Sequence, residues 1–160
     1  SSSMAEVSKK TKIPVATGER LTTKYEFFDV LKNNAASIIQ MNLGRVGGIL
    51  EAKKIASLSE VYYAQIAPHL YNGPVGAAAS IQLSIASPNF LIMESIKTWG
   101  DFHSEVLTKP IQWTNGNILP SDKPGLGIDL NFDVVESNSP YKGSRLHLSM
   151  NDKPYYADDD

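Results

Sequence analysis

Cysteine is absent from the 160-residue sequence, and other missing features further narrow the possible classes of protein. Without cysteine there is no disulfide framework, no thiol nucleophile and no cysteine-ligated zinc or iron–sulfur site. The apolar runs are too short to span a bilayer, and the first residues lack the apolar centre of a signal peptide. We therefore expect a soluble cytoplasmic protein with no membrane partner.

The chain also lacks an excess of either charge, since 15 basic and 17 acidic residues give a formal net charge of −2. This balance offers no electrostatic reason to expect nucleic acid as a partner. Hydrophobic residues make up 42% of the chain, enough for a packed core. The length fits one domain but is well short of the ~250 residues that a complete (β/α)₈ barrel usually needs.

Short β-favouring runs recur along the first two thirds of the chain, at residues 13–16, 37–40, 63–67 and 89–93. A turn and a segment with helical periodicity follow each of the first three runs. The predicted helices cover residues 23–33, 48–62 and 74–87, and the last, which has no charged residue, should be buried on nearly all sides. This repetition predicts an α/β fold, the C-terminal half of a (β/α)₈ barrel with about strands 5 to 8.

The proline spacing changes past the fourth run and suggests a division of the chain. We expect a leader at residues 1–4, a half-barrel of βα units at 5–106 and a loop-rich C-terminal extension at 107–160. The extension should hold loops, short strands, for example at residues 145–150, and at most one short helix near Asp133. A half-barrel also has two open strand edges and an apolar inner face, which favour association.

Polar side chains stand just after each predicted strand: Glu19, then Asn42 and Arg45, then His69, then Glu94. The ends of parallel strands meet at one edge of the sheet, where active sites of βα proteins are built. Taken singly, each residue has an ordinary explanation. Glu19 could pair with Arg20 at the surface, Asn42 could cap a turn, and His69 and Glu94 could be structural or solvated. Their common position in four successive units favours a functional site.

Four further residues carry weaker signals. His103 and His147 have no partner that the sequence indicates, and a surface position is the simpler interpretation. Trp99 and Trp113 are expected to anchor the C-terminal loops onto the barrel or to wall a pocket.

At these strand ends the chain resembles the C-terminal half of the enolase superfamily, in its mandelate racemase and muconate lactonizing branch, and specifically its galactonate-type sugar-acid dehydratases. Residues 13–19 resemble the family's fifth barrel strand and residues 37–42, followed by Gly47 and Gly48, resemble its sixth. Residues 67–69 resemble the seventh strand and residues 91–94 the eighth. The resemblance runs from about residue 5 to about residue 141.

The resemblance implies abstraction of a proton α to a carboxylate, with Mg²⁺ holding the carboxylate and stabilising the enediolate. Glu19 would be a metal ligand, and His69 would be the general acid or base. In a dehydratase, His69 would then protonate the departing β-hydroxyl. Glu94 would lie near the enediolate or the substrate carboxylate, Asn42 would orient His69, and Arg45 would bind the sugar-acid substrate.

Two departures from the family pattern bear on these roles. Many members have an aspartate where this chain has Asn42, and an amide can orient His69 but cannot supply the charge that makes the ring more basic. This favours an acid or hydrogen-bonding role for His69, or a base elsewhere. The family's other metal ligands, its second-strand base and its capping domain precede the fifth strand. We therefore expect the 160 residues alone to be inactive, with the missing N-terminal half or another copy as partner, and a homo-oligomer.

Other functions stay open at this point. A racemase, epimerase or cycloisomerase of the same branch shares the proton-abstraction step. From a different class, the chain could be a non-catalytic half-barrel that acts in assembly or binding, with the strand-end residues as relics.

Overall fold

The computed structural model describes residues 2–95 and 102–138, so the predicted strand at 145–150, Trp99 and His147 lie outside the described residues. The helices are α1 (Ser2–Lys10), α2 (Lys24–Lys32), α3 (Leu43–Val46), α4 (Ile49–Val61), α5 (Pro74–Ile85), α6 (Phe102–Glu105) and α7 (Phe132–Ser137). The strands are β1 (Ala16–Thr17), β2 (Ile38–Ile39), β3 (Gln65–Ile66), β4 (Gln112–Thr114) and β5 (Asn117–Leu119). From β1 to α5 strands and helices alternate as predicted, except that the short helix α3, which was not predicted, precedes α4.

Strands β1, β2 and β3 form a parallel sheet in that order. Ala16 lies opposite Ile38, and Ile38 lies opposite Gln65. The predicted fourth strand is a single parallel bridge between Ile66 and Phe90. The first three predicted strands are likewise shorter than expected, each with only two residues in regular parallel pairing. Parallel order and chain direction are as predicted.

Backbone hydrogen bonds continue past these short strands toward their carboxyl ends. The N–H of Gln40 donates to the carbonyl of Thr17 at 2.7 Å, and the N–H of His69 donates to the carbonyl of Met41 at 3.1 Å. These bonds fix the ends of neighbouring strands relative to one another, so side chains placed there have a defined separation.

Helix α2 is specified locally by a capping box. Thr23 is its N-cap, and its hydroxyl accepts from the N–H of Glu26 at 3.4 Å, while the Glu26 carboxylate accepts from the N–H of Thr23 at 2.8 Å. The reciprocal bonds satisfy donors that a helix start leaves free. The helix predicted over residues 23–33 is confirmed, as are those over 48–62 and 74–87 to within a few residues.

This capping box predicts an acid-sensitive contribution to stability. Backbone N–H donors of Thr22 and Thr23 lower the pKa of Glu26 from 4.5 to about 2. A lowered folded-state pKa stabilises the fold above the ordinary value and loses that effect as pH falls toward 2. Replacing Glu26 by Gln should lower the thermal midpoint at pH above about 5, with the gap to wild type closing between about pH 4.5 and 2. Circular dichroism melts across pH measure this, with exposed Glu60→Gln as control; a gap that does not change with pH would contradict it.

The helices cover one face of the sheet and form the core there. The largest side chains at 2% exposure or less in this cluster are Phe27, Leu31, Ile39, Met41, Ile55, Ile66 and Leu83. The opposite face carries Ala16, Ile38 and Gln65, of which Ala16 and Gln65 are exposed. The expectation of an apolar inner face is therefore wrong at Gln65, whose amide needs a polar surrounding.

Helix α5 differs from its prediction in burial. Ala77, Ala78 and Ser80 are buried, but Val75 and Ile85 are 44% and 60% exposed. The prediction of burial on nearly all sides is wrong because only one side of α5 packs against α3 and α4.

The C-terminal segment begins with an antiparallel hairpin of β4 and β5. Its turn residues Asn115 and Gly116 have φ angles of 47° and 76°, the left-handed conformation that tight hairpin turns require. Trp113 packs against Leu70 and Ala77, which confirms the expected anchoring of this segment onto the half-barrel. Helix α7 contains Asp133, where a short helix was predicted.

Helix α1 was not predicted. It includes residues of the expected leader, and Ala5 on it is buried in the core. None of the helices in residues 2–95 and 102–138 is both long and apolar enough to cross a bilayer; the longest is α4 with 13 residues.

Candidate functional site

Glu19 owes its position to the glycine before it. Gly18 is buried with a φ of +132°, and a Cβ there would lie 2.7 Å from Phe27 Cε1 and 3.2 Å from the Gln40 backbone nitrogen. Only glycine allows this backbone conformation and this close approach. The turn it makes leaves the Glu19 side chain 55% exposed at the carboxyl end of β1.

Asn42 follows β2 and has two contacts that fix its amide. It is the N-cap of α3, with Oδ1 accepting from the N–H of Gly44 at 2.9 Å. Its Nδ2 lies 2.8 Å from Nδ1 of His69. The side chain therefore caps α3 through Oδ1 and contacts the imidazole of His69 through Nδ2. Asn42 is only 4% exposed, so these contacts are shielded from water.

The imidazole of His69 lies at the centre of the strand ends. Its Nε2 is 3.5 Å from Glu19 Oε2 and 3.7 Å from Glu94 Oε2, and the side chain is 15% exposed. Glu94 Oε2 in turn accepts from the N–H of Leu70 at 3.0 Å, which ties the end of the fourth segment to the loop after β3. The predicted convergence of Glu19, Asn42, His69 and Glu94 at one edge is confirmed.

A cleft of about 660 Å³ opens over this edge and is lined by Glu19, Arg20, Asn42, Gly44, Arg45, His69, Tyr71 and Asn72. Arg45 is exposed on α3 and lines the cleft. The sequence reasoning missed Tyr71, whose ring stacks on His69 at 6.5 Å between centroids, and Asn72, whose Nδ2 lies 3.3 Å from Asn42 Oδ1. The position of Tyr71 two residues after His69 was an available signal.

The described residues supply only some of the ligands that a bound Mg²⁺ ion would need. In the described part of the chain no three His, Asp or Glu side chains are grouped to hold a metal. Glu19 nevertheless offers an accessible carboxylate at the strand end, the donor type that Mg²⁺ prefers. Mg²⁺ binds through near-octahedral oxygen ligands and usually more than one protein carboxylate. Glu19 therefore fits the role of one carboxylate ligand of a magnesium centre, and further ligands would have to come from elsewhere.

The fold and this strand-end site are those of a known class of protein. Residues 1–134 match the sequence model of the Enolase C-terminal domain-like family. The chain belongs to this family, within the mandelate racemase and muconate lactonizing branch, and is part of a (β/α)₈ barrel.

Particular relatives narrow the likeness to sugar-acid dehydratases. The chain is 35% identical to the D-xylonate dehydratase of Haloferax volcanii over 132 residues, which cover 82% of this chain and 32% of that one. It is 34% identical to the D-galactonate dehydratase of Pectobacterium atrosepticum over 136 residues, 81% of this chain and 36% of the relative. A crystal structure of a candidate mandelate racemase/muconate lactonizing enzyme from Burkholderia SAR-1 superposes with a TM-score of 0.83 at 64% identity, covering 98% of this chain and 39% of the other.

The chain spans about a third of the length of the curated relatives it matches.

Proposed function

We propose that this chain is the C-terminal part of a Mg²⁺-dependent sugar-acid dehydratase. The observation that carries the proposal is the placement of His69 Nε2 within 3.5 Å of Glu19 Oε2 and 3.7 Å of Glu94 Oε2, beside a cleft that Arg20 and Arg45 also line. Carboxylate, imidazole and guanidinium groups together suit an anionic, polyhydroxylated substrate. The relatives named as D-xylonate and D-galactonate dehydratases support the same reaction class.

In this reaction the C–H bond α to the carboxylate breaks, the β-hydroxyl then leaves with one proton as water, and the resulting enol becomes a 2-keto-3-deoxy acid. Bound Mg²⁺ would neutralise charge that develops on the substrate carboxylate. Glu19 would hold the metal. His69 would donate a hydrogen bond or a proton to the departing hydroxyl, and Arg45 would bind the acid.

Glu94 has a positioning contact that supports its role. Its Oε2 is held by the N–H of Leu70 at 3.0 Å, yet the side chain remains 45% exposed. A carboxylate that accepts one backbone hydrogen bond still has lone pairs free. These can accept a hydrogen bond from a substrate hydroxyl or from a protonated oxygen of the substrate carboxyl group. We assign Glu94 a place near the substrate carboxylate or the enediolate, on the side of His69 Nε2.

The barrel is completed by a partner, and the N-terminal half of a longer protein suits this role better than another copy. Leu91 and Ile92, next to the bridge at Phe90, are 44% and 64% exposed at the open edge of the sheet. The relatives are about three times as long, so their additional residues can supply strands for this edge and the missing metal ligands. Assembly of complete barrels into a homo-oligomer belongs to the same proposal.

The test is incubation of the full-length protein and Mg²⁺ with D-xylonate, D-galactonate and other sugar acids. We expect a 2-keto-3-deoxy acid, detected as its semicarbazone. Exchange of the α-proton in D₂O with both C2 epimers, but with no keto acid, would mean a racemase or epimerase instead. Absence of both exchange and product, in protein shown to be folded, would favour the non-catalytic half-barrel.

A further inference from the structure

The side chain of Asn42 can adopt only one amide orientation in this site. Its Oδ1 is 2.9 Å from the backbone N–H of Gly44, and a backbone N–H can only donate. Rotating the amide by 180° would place NH₂ against N–H, donor against donor. The amide of Asn72 adds a second donor to the same oxygen, with Nδ2 at 3.3 Å. The orientation therefore follows from the partners of Asn42 Oδ1.

This orientation directs the Asn42 NH₂ group at Nδ1 of His69, at 2.8 Å. An amide nitrogen has no lone pair to offer, so Nδ1 must accept the hydrogen bond. A neutral imidazole that accepts at Nδ1 carries its hydrogen on Nε2. Nε2 is the nitrogen that faces Glu19 Oε2 and Glu94 Oε2.

We infer that Asn42, positioned by Gly44 and Asn72, holds the neutral ring of His69 as the Nε2–H tautomer, so that His69 meets the substrate as a hydrogen-bond donor and not as the proton-abstracting base. The substrate contact rests on the proposed function, whereas the tautomer does not. Proton abstraction at Nε2 requires a lone pair there, which this tautomer lacks. The same amide opposes proton delivery from Nε2, because a ring that has given up that proton must carry hydrogen on Nδ1. Both proton transfers then belong to other groups.

Two glycines leave space around this pair of amides, Gly76 beside Asn72 and Gly44 beside Asn42. A Cβ on Gly76 would lie 2.6 Å from Asn72 Cβ, and a Cβ on Gly44 would lie 3.2 Å from Asn42 Oδ1. Asn72 is thus a positioning residue that acts on His69 through Asn42. The ring of Tyr71 lies nearly parallel to the imidazole of His69, with an interplanar angle of 22°.

An aspartate at position 42 is the matched variant, because it has the shape of asparagine with oxygens alone. The carboxylate would still accept from Gly44, but its other oxygen would require a donor at His69 Nδ1. Asn42→Asp should therefore move the hydrogen of the neutral ring from Nε2 to Nδ1. Asn72→Ala leaves Gly44 as the single donor to Oδ1 and should weaken the preference for Nε2–H without reversing it.

The test is solid-state ¹⁵N NMR of the full-length protein labelled at histidine and held at a pH where imidazole is neutral, without metal or substrate. Difference spectra against His69→Gln identify the His69 signals, and exposed His103 on α6 is a reference ring. In wild type, the nitrogen that correlates with both ring carbon-bound protons should be the protonated one, with Nε2–H favoured about tenfold or more. In Asn42→Asp the pattern should reverse.

An Nδ1–H tautomer in wild type would overturn the inference, as would an unchanged pattern in folded Asn42→Asp. If that variant does not fold, the wild-type spectrum decides alone. Because the spectra need no turnover, a protein that fails to dehydrate sugar acids would still give a clear answer on the tautomer.

Discussion

Replacing Glu19 by Gln should lower the rate of sugar-acid dehydration by the full-length protein about 100-fold or more, since loss of an outer partner of a metal ligand already costs about 10–100-fold. Glutamine keeps the size of the side chain and its position after Gly18 but removes the negative charge that a Mg²⁺ ligand contributes. The affinity for Mg²⁺ should fall together with the rate. Steady-state kinetics and calorimetric titration with Mg²⁺ measure the two effects.

The matched control for Glu19→Gln is Glu60→Gln, which removes the same charge from the exposed surface of α4. Its rate and Mg²⁺ affinity should equal those of wild type. A Glu19→Gln protein that keeps more than about a tenth of the wild-type rate would remove Glu19 from the metal site, because a lost ligand must cost more than a lost outer partner.

Replacing Phe27 by Ala should destabilise the fold by about 3–5 kcal/mol, the usual cost of emptying the site of a buried aromatic ring. Phe27 has 0% exposure and packs beneath Gly18, so the cavity would also loosen the turn that positions Glu19. A loss of this size is a large part of the about 5–15 kcal/mol that stabilises a typical protein. Urea denaturation followed by circular dichroism gives the change in free energy of unfolding.

Phe28 provides an internal control for this prediction. It is the next residue on α2, has the same side chain and is 42% exposed. Phe28→Ala should cost much less, about 1 kcal/mol or below, because it opens no cavity in the core. Equal losses for the two variants would contradict the packing described for α2.

The parts of the fold that were predictable are those with a local or periodic cause. The Thr23–Glu26 capping box specifies the start of α2 within a few residues of sequence, so α2 could be predicted. The strand-end residues could be predicted because parallel strands bring their carboxyl ends to one edge, whatever the details of packing. Glu19, His69 and Glu94 come together for that reason.

The parts that were missed depend on tertiary contacts or on very short segments. Helix α1 buries only Ala5, too little for a recognisable apolar stripe. Helix α3 has four residues, so periodicity cannot reveal it, although Asn42 was considered as a cap. The role of Asn72 follows from its distance to Asn42 across 30 positions of sequence, and nothing local indicates it.

One missed element had a local signal. Asn115 and Gly116 between the runs that became β4 and β5 form the residue pair most typical of a two-residue hairpin turn. The frequent prolines in this part of the chain favoured a prediction of loops, so the hairpin was not predicted.

Dehydration by the full-length protein with Mg²⁺ supplied and then withdrawn tests most directly the proposal that this chain is the C-terminal part of a magnesium-dependent sugar-acid dehydratase. We predict that a 2-keto-3-deoxy acid forms from at least one sugar acid with Mg²⁺, that its formation stops when EDTA removes the metal, and that it resumes when Mg²⁺ is restored. Product formation that continues unchanged in EDTA, or no product from any sugar acid with folded, Mg²⁺-saturated protein, would contradict the account.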